Sequence, residues 1–205
     1  MKRAFAVAHG KVAAALVAAL LAALVAACGA MGTREPDRYF VLDVPPAAAA
    51  PRTAPALVVM PTTVSSFYDT QDIAYSRSAG TRAYYQFSHW TERPQRAVHA
   101  QLLSRLGTQA QSGRRSSEII VVTHLEEIYH DAAQQPGTAH IAMTAQLVDP
   151  TNHAVLASRR FSSSAPAASY DAPGAVAGMR DALGALLDEA MAWVANQAPA
   201  GAARN

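Results

Sequence analysis

The sequence predicts an α/β domain with two layers: a mixed β-sheet and two main helices packed on one of its faces. Three observations point there. Short segments that alternate apolar and polar side chains recur along the chain. Two other segments, after Thr91 and after Asp171, repeat apolar residues at helical spacing. The stretch EIIVVTHLEEIYH, residues 118–130, opens on a doubly apolar run of the kind a central strand buries on both faces.

Before the domain, residues 12–27 contain only Ala, Val and Leu, and Lys2, Arg3 and Lys11 precede them without an acidic residue. The run is shorter than the roughly 20 residues of a transmembrane helix. It reads as the charged and apolar regions of a secretory signal. The signal ends in Val25-Ala26-Ala27-Cys28, and Cys28 is the only cysteine. That tetrapeptide resembles the lipobox of bacterial lipoproteins, which implies lipidation of Cys28 by a thioether-linked diacylglycerol, cleavage before it, and acylation of the new amino terminus, for example with palmitate. Several chains at about 0.8 kcal/mol per buried methylene make such an anchor stable. The residue after Cys28 is Gly29, not the Asp that in many Gram-negative lipoproteins resembles an inner-membrane retention signal, so the expected location is the periplasmic face of the outer membrane. The expected organisation is a signal peptide over 1–27, an acylated tether over 28–37, one domain over 38–197 and a flexible tail over 198–205.

Three of the seventeen Lys and Arg lie before Cys28 and none of the fifteen Asp and Glu do, which leaves fourteen cations against fifteen anions. A near-neutral body lacks the basic stripe that neutralises phosphates, so nucleic acid is not an expected partner. The Pro- and Ala-rich stretches at 44–56 and 198–205 read as extended connectors.

Element by element, RYFVLDV at 38–44 is β-branched and aromatic and predicts a first strand close to the anchor. ALVVMPTTV predicts a second, stopped or bulged at Pro61 because proline cannot donate to a ladder. DIAYSRS and RAYYQFSH flank SAGT, where Gly80 supplies the turn, and predict a hairpin. Thr91 can cap a helix on which Val98, Leu102, Leu103 and Leu106 recur until Gly107. After the central strand, residues 138–164 predict a second hairpin around Asp149-Pro150-Thr151-Asn152. Asp171 and Pro173 open a last helix whose shared face carries Val176, Met179, Leu183, Leu186, Leu187, Ala190, Met191 and Val194.

The chemistry-bearing candidates are few. On a straight strand His124, Glu126 and His130 share a face at period two, yet the two histidines are about 20 Å apart and cannot hold one ion. A solvated strand face is the expectation, and neither a metal nor a cofactor is expected. There is no G-x-S-x-G elbow and no G-x-x-x-x-G-K-[ST] phosphate cradle. The denser signal is aromatic: Phe67, Tyr68, Tyr75, Tyr84, Tyr85, Phe87 and Trp90 fall in one segment with Arg77, Arg82 and Arg93 between them. Such rings pack cores, and aromatic and Arg enrichment also marks protein interfaces. Tyr75, Arg77, Arg82, Tyr84, Tyr85 and Trp90 are therefore the candidate partner or lipid contact residues.

The order of pieces resembles the ABC-type transport auxiliary lipoprotein family. The resemblance covers most of 38–194 and is most specific from Pro61 to Trp90, where the proline after the second strand, FYDT, IAYSR and AYYQFSHW match the family's pattern. Ser78 and Phe67 depart from it. The resemblance implies an anticodon-binding-domain-like α/β fold, a homo-oligomeric ring, and partnership with an MCE-domain protein and an ABC permease and ATPase that move lipids between membranes. It implies no enzyme. The competing readings are a periplasmic lipoprotein hydrolase using His124 or Ser163, and a purely structural envelope lipoprotein.

Overall fold

A computed structural model describes residues 35–45, 57–106 and 119–202, without the side chains of 106 and 198–202. Cys28, the apolar run before it and the connector from residue 46 to 56 lie outside the described residues, as does Gly107. The chain separates into two compact units, Met1–Pro36 and Asp37–Asn205. Every element below belongs to the second.

The strands are β1 (Arg38–Phe40), β2 (Leu57–Val59), β3 (Thr63–Val64), β4 (Asp72–Ser76), β5 (Ala83–Trp90), β6 (Ile119–Asp131), β7 (Thr138–Val148) and β8 (Val155–Pro166). The helices are α1 (Pro94–Leu106) and α2 (Ala172–Ala202), with a short 3-10 turn at Ser66–Tyr68. The sheet runs β1-β5-β4-β6-β7-β8, and β2 and β3 also pair with β6. It is mixed: β2, β3 and β4 run parallel to β6, and β7 and β8 follow antiparallel.

The second predicted strand is split as Pro61 requires. Val59 faces Val121 and Thr63 faces His124, so four steps on one strand meet three on the other. The first strand is shorter than RYFVLDV, because its partner β5 ends at Trp90 and Phe40 is the last paired residue. Beyond it Leu42 is buried, and Arg180 donates from Nε and Nη2 to the Val41 carbonyl at 3.1 and 2.7 Å. That chain thus leaves the sheet to pack on α2.

α1 begins at Pro94 rather than at a Thr91 cap, since proline at the first helical turn gives up no bond it needs. The Thr91 amide is instead donated to the Phe40 carbonyl at 2.8 Å. Val98 and Leu102 are buried, whereas Leu103 turns outward at 37% exposure. α2 opens at Asp171 and Pro173 as expected, and the Gly174 amide donates to Asp171 Oδ1 at 2.9 Å, which caps the helix. The helix continues to Ala202, into the stretch read as a tail. Its apolar stripe, from Val176 through Met179, Leu183, Leu186 and Leu187 to Val194, is buried against the sheet, with Met191 at its margin.

The core lies between the helices and one sheet face, built from Ile73, Leu125, Ile128, Met143, Leu147 and Phe161 opposite that stripe. Arg105 of α1 is ion-paired with Asp188 of α2, which ties the two helices together. Burial of β6 alternates up to Leu125, so it is central by pairing but fully buried on one face only. Leu183→Ala, at 0% exposure, is expected to cost about 2–5 kcal/mol through lost transfer energy and the cavity left behind. Urea denaturation with an unchanged midpoint would contradict this packing.

Candidate functional site

With both helices on one side, the other sheet face carries polar residues along most of β7 and β8. His140, Thr144 and Gln146 of β7 lie beside Ser164, Arg160 and Ser158 of β8. On β6 the alternation is interrupted: Leu125 pairs with Met143 and Glu127 with Ala142, which leaves Glu126 as an extra residue in a β-bulge. One extra residue moves every later side chain to the opposite face.

The bulge corrects the expectation that His124 and His130 share a solvated face. His124 stays on the helix-free face, where its Nδ1 lies 2.8 Å from Thr63 Oγ1 and its Nε2 3.3 Å from Ser65 Oγ. His130 is fully buried on the other. Its Nδ1 lies 2.7 Å from the Tyr85 hydroxyl and its Nε2 3.0 Å from the Pro136 carbonyl oxygen. A carbonyl can only accept, so Nε2 carries the proton and Nδ1 accepts from Tyr85. Gly137, at φ 92°, closes over this ring; a Cβ there would lie 2.1 Å from His130 Nε2.

Glu126 accepts from Thr144 Oγ1 and from Arg160 Nε, each at 2.5 Å. Partial burial pushes its carboxyl up, but the Thr144 and Arg160 hydrogen bonds and the Arg160 and His124 charges outweigh that and hold it below the usual carboxylate range. Glu127 lies 3.6 Å from Arg82. Each of these two carboxylates therefore has its own arginine. Ser163 of β8 pairs with Ile141, whose side chain is buried beneath the helices, so it faces away from His124. The two residues of the hydrolase reading do not meet.

The aromatic segment divides into two groups. On the helix-free side Arg82 is the hub: its Nε donates to the Tyr68 hydroxyl at 3.1 Å and its guanidinium lies 3.6 Å from the Tyr129 ring centroid. Tyr84, 38% exposed, stacks on Phe67 at 4.6 Å and donates its hydroxyl to the Phe67 carbonyl at 2.6 Å. On the other side Tyr75 meets Tyr85 at 4.8 Å, with the exposed Arg77 guanidinium 5.3 Å from the Tyr75 ring. Burial pushes the Tyr85 hydroxyl up to about 12, with the Asp171 charge adding to it, so it remains a donor to His130. Trp90 belongs to neither group. It is 2% exposed and packs in the core, beyond the irregularity at which the pairing of β5 with β4 shifts between Tyr84 and His89, and it is no part of a contact surface.

Sequence reasoning missed Tyr129, His140, Arg160 and Tyr170. Tyr129 stacks on His140 at 5.2 Å, and the Tyr170 hydroxyl donates to the Ala132 carbonyl at 2.7 Å. Their partners lie on other strands, and nothing local announces them. Among the described residues no three His, Cys, Asp or Glu converge as metal ligands.

The family model for the ABC-type transport auxiliary lipoprotein component matches residues 40–191. No curated protein matches the chain. Among solved structures, the fold is similar to the crystal structure of a DUF330 protein from Xanthomonas campestris, with a TM-score of 0.70, 20% identity, and coverage of 80% of this chain and 98% of that one. It is also similar to an uncharacterized protein at TM-score 0.62 and 11% identity, covering 78% of this chain and 99% of the other. At these identities the likeness concerns the fold.

Burial lowers the His130 pKa more than the Pro136 carbonyl and the charges of Asp131 and Asp171 raise it, and His140 lowers it further. The sign follows. Below about pH 6.5, the ordinary imidazole value, the unfolded chain takes up a proton that the folded one refuses. Stability is therefore full above that value and falls as pH drops from it toward the lowered folded value. His130→Phe is expected to be less stable at neutral pH but to lose this slope, measured by urea midpoints between pH 7 and 5. An unchanged slope in the variant would assign the effect elsewhere.

Proposed function

The chain belongs to the ABC-type transport auxiliary lipoprotein component family, and on that premise we propose that it docks an intermembrane lipid transport system at the outer membrane. It is an auxiliary lipoprotein of ABC-type transport, anchored in the envelope. In the proposed role, Cys28 carries the acyl anchor, the short tether holds the domain near the membrane, and the domain meets an MCE-domain protein served by an ABC permease and ATPase. The observation that carries the reading is the family match across the folded domain, joined to a tetrapeptide at the end of the apolar run, Val25 to Cys28, that resembles a lipobox.

The accessory role asks for binding rather than catalysis, and the residues favour it. Glu126, Glu127, His124 and His130 each engage partners of their own chain. The contact surface is assigned to the outward members of the aromatic group, Arg77 and Tyr84, with Tyr75, Arg82 and Tyr85 holding them in place. A homo-oligomeric ring would present several such surfaces at once.

Two outcomes test this. Cys28→Ser is expected to lose the acyl label and to leave the membrane pellet; retention of the unlabelled variant in the membrane would overturn the anchor. In-cell cross-linking followed by mass spectrometry of the acylated protein is expected to recover an MCE-domain protein, and Arg77→Glu with Tyr84→Ala to reduce that yield. Recovery of no transporter component, together with unchanged lipid composition in a deletion strain, would favour the structural reading instead.

A further inference from the structure

We propose that the end of the sheet from which the chain enters β1, marked by Tyr170, Arg77 and the β6–β7 turn, rests on the phospholipid headgroups of the bilayer that holds the anchor. The inference depends on the acylation proposed at Cys28 and adds to it which end of the domain faces lipid. Of the two outward contact residues it assigns Arg77 to headgroups and leaves Tyr84 to a protein partner.

Strand directions define this end. β1 runs parallel to β5, β5 antiparallel to β4, and β4 parallel to β6. The chain therefore approaches Arg38 from the side on which β4 and β6 finish, at Ser76 and Asp131. On that side lie the exposed residues 77–81 between β4 and β5, the exposed residues 133–136 of the β6–β7 turn, and the loop that leads into α2. The charge of Arg38 acts on Asp171 in that loop.

The tether limits what can face the membrane. Arg38 lies ten residues after Cys28, a stretch that spans at most about 35 Å when fully extended. A compact chain the length of Asp37–Asn205 has a radius of gyration of about 15 Å and is roughly 40 Å across. With the opposite end on the bilayer, the tether would have to run the whole length of the domain, which exceeds its reach. With this end down it needs only a fraction of its length.

The exposed groups suit a headgroup layer. Tyr170 is 40% exposed, and its hydroxyl donates to the Ala132 carbonyl at 2.7 Å, so what it offers outward is the ring. Tyrosine rings gather at bilayer interfaces. Arg77 is exposed with its guanidinium 5.3 Å from the Tyr75 ring, and among the described residues it has no ion pair. Its N–H donors are open to a phosphate. The nearby carboxylates are held by their own backbone: Asp131 accepts from the Ala133 amide at 3.0 Å and Asp171 from the Gly174 amide at 2.9 Å.

The test uses the full-length acylated protein in vesicles of phosphatidylethanolamine and phosphatidylglycerol brominated near the headgroup end of their acyl chains. Tyr170→Trp and Gln134→Trp report on this end, and Leu156→Trp, at a site 38% exposed near the start of β8, reports on the opposite one. The native Trp90 and Trp193 are buried and supply the background. Each variant is checked for an unchanged circular dichroism spectrum, and Gln134→Trp, on an exposed turn, carries the test alone if Tyr170→Trp misfolds. The added fluorescence is expected to be lost by quenching in the first two variants and kept in Leu156→Trp. Arg77→Glu is expected to reduce that quenching while the protein still floats with the vesicles. Quenching of none of the three reporters in floating protein, or of all three alike, would overturn the proposal and leave the anchor standing. Protein that does not float would overturn the anchor and the proposal with it. Quenching untouched by Arg77→Glu would overturn the headgroup role of that arginine.

Discussion

Backbone hydrogen bonding along both sides of β6 positions the rest of the domain. β7 follows one side of it from Val148 to Thr138, while β2, β3 and β4 take turns on the other. A strand this long, held on both sides, can change the facing of its side chains only by inserting a residue. Glu126 is that insertion. Before it the odd-numbered residues of β6 enter the core, and after it the even-numbered ones do, so Leu125 and Ile128 both reach the core although they are three residues apart.

The same insertion distributes the polar chemistry. It leaves Glu126 and Glu127 both partly exposed, and each is met by an arginine from another strand, Arg160 of β8 and Arg82 beside β5. It also sends His130 inward, where a buried imidazole needs two partners and finds them in Tyr85 and the Pro136 carbonyl. The aromatic segment is divided by the alternation of β5: Arg82 and Tyr84 turn to one side with Phe67 and Tyr68, Tyr85 to the other with Tyr75 and His130. Much of what reads as a binding stripe in sequence is thus occupied in holding the sheet together.

An accessory lipoprotein needs a rigid body close to a membrane and surfaces that other proteins can meet. The domain supplies the rigid body through a core in which α2 covers β6, β7 and β8. Neither helix covers the other sheet face. Neither requirement calls for an unpaired acid or base, and the carboxylates of β6 are satisfied within the fold.

The sequence by itself determined the fold class, the order of strands and helices, the break at Pro61, the hairpin at Gly80 and the opening of the last helix at Asp171. All of these depend on periodicity or on the geometry of one or two adjacent residues, which the chain states locally. Only the tertiary structure decided that His124 and His130 part company, that Trp90 is core, and that Arg160 and Arg82 neutralise neighbouring glutamates. A bulge has no fixed residue type, and cross-strand partners tens of residues apart are chosen by register, so pairing across the sheet had to be known before these side chains could be placed.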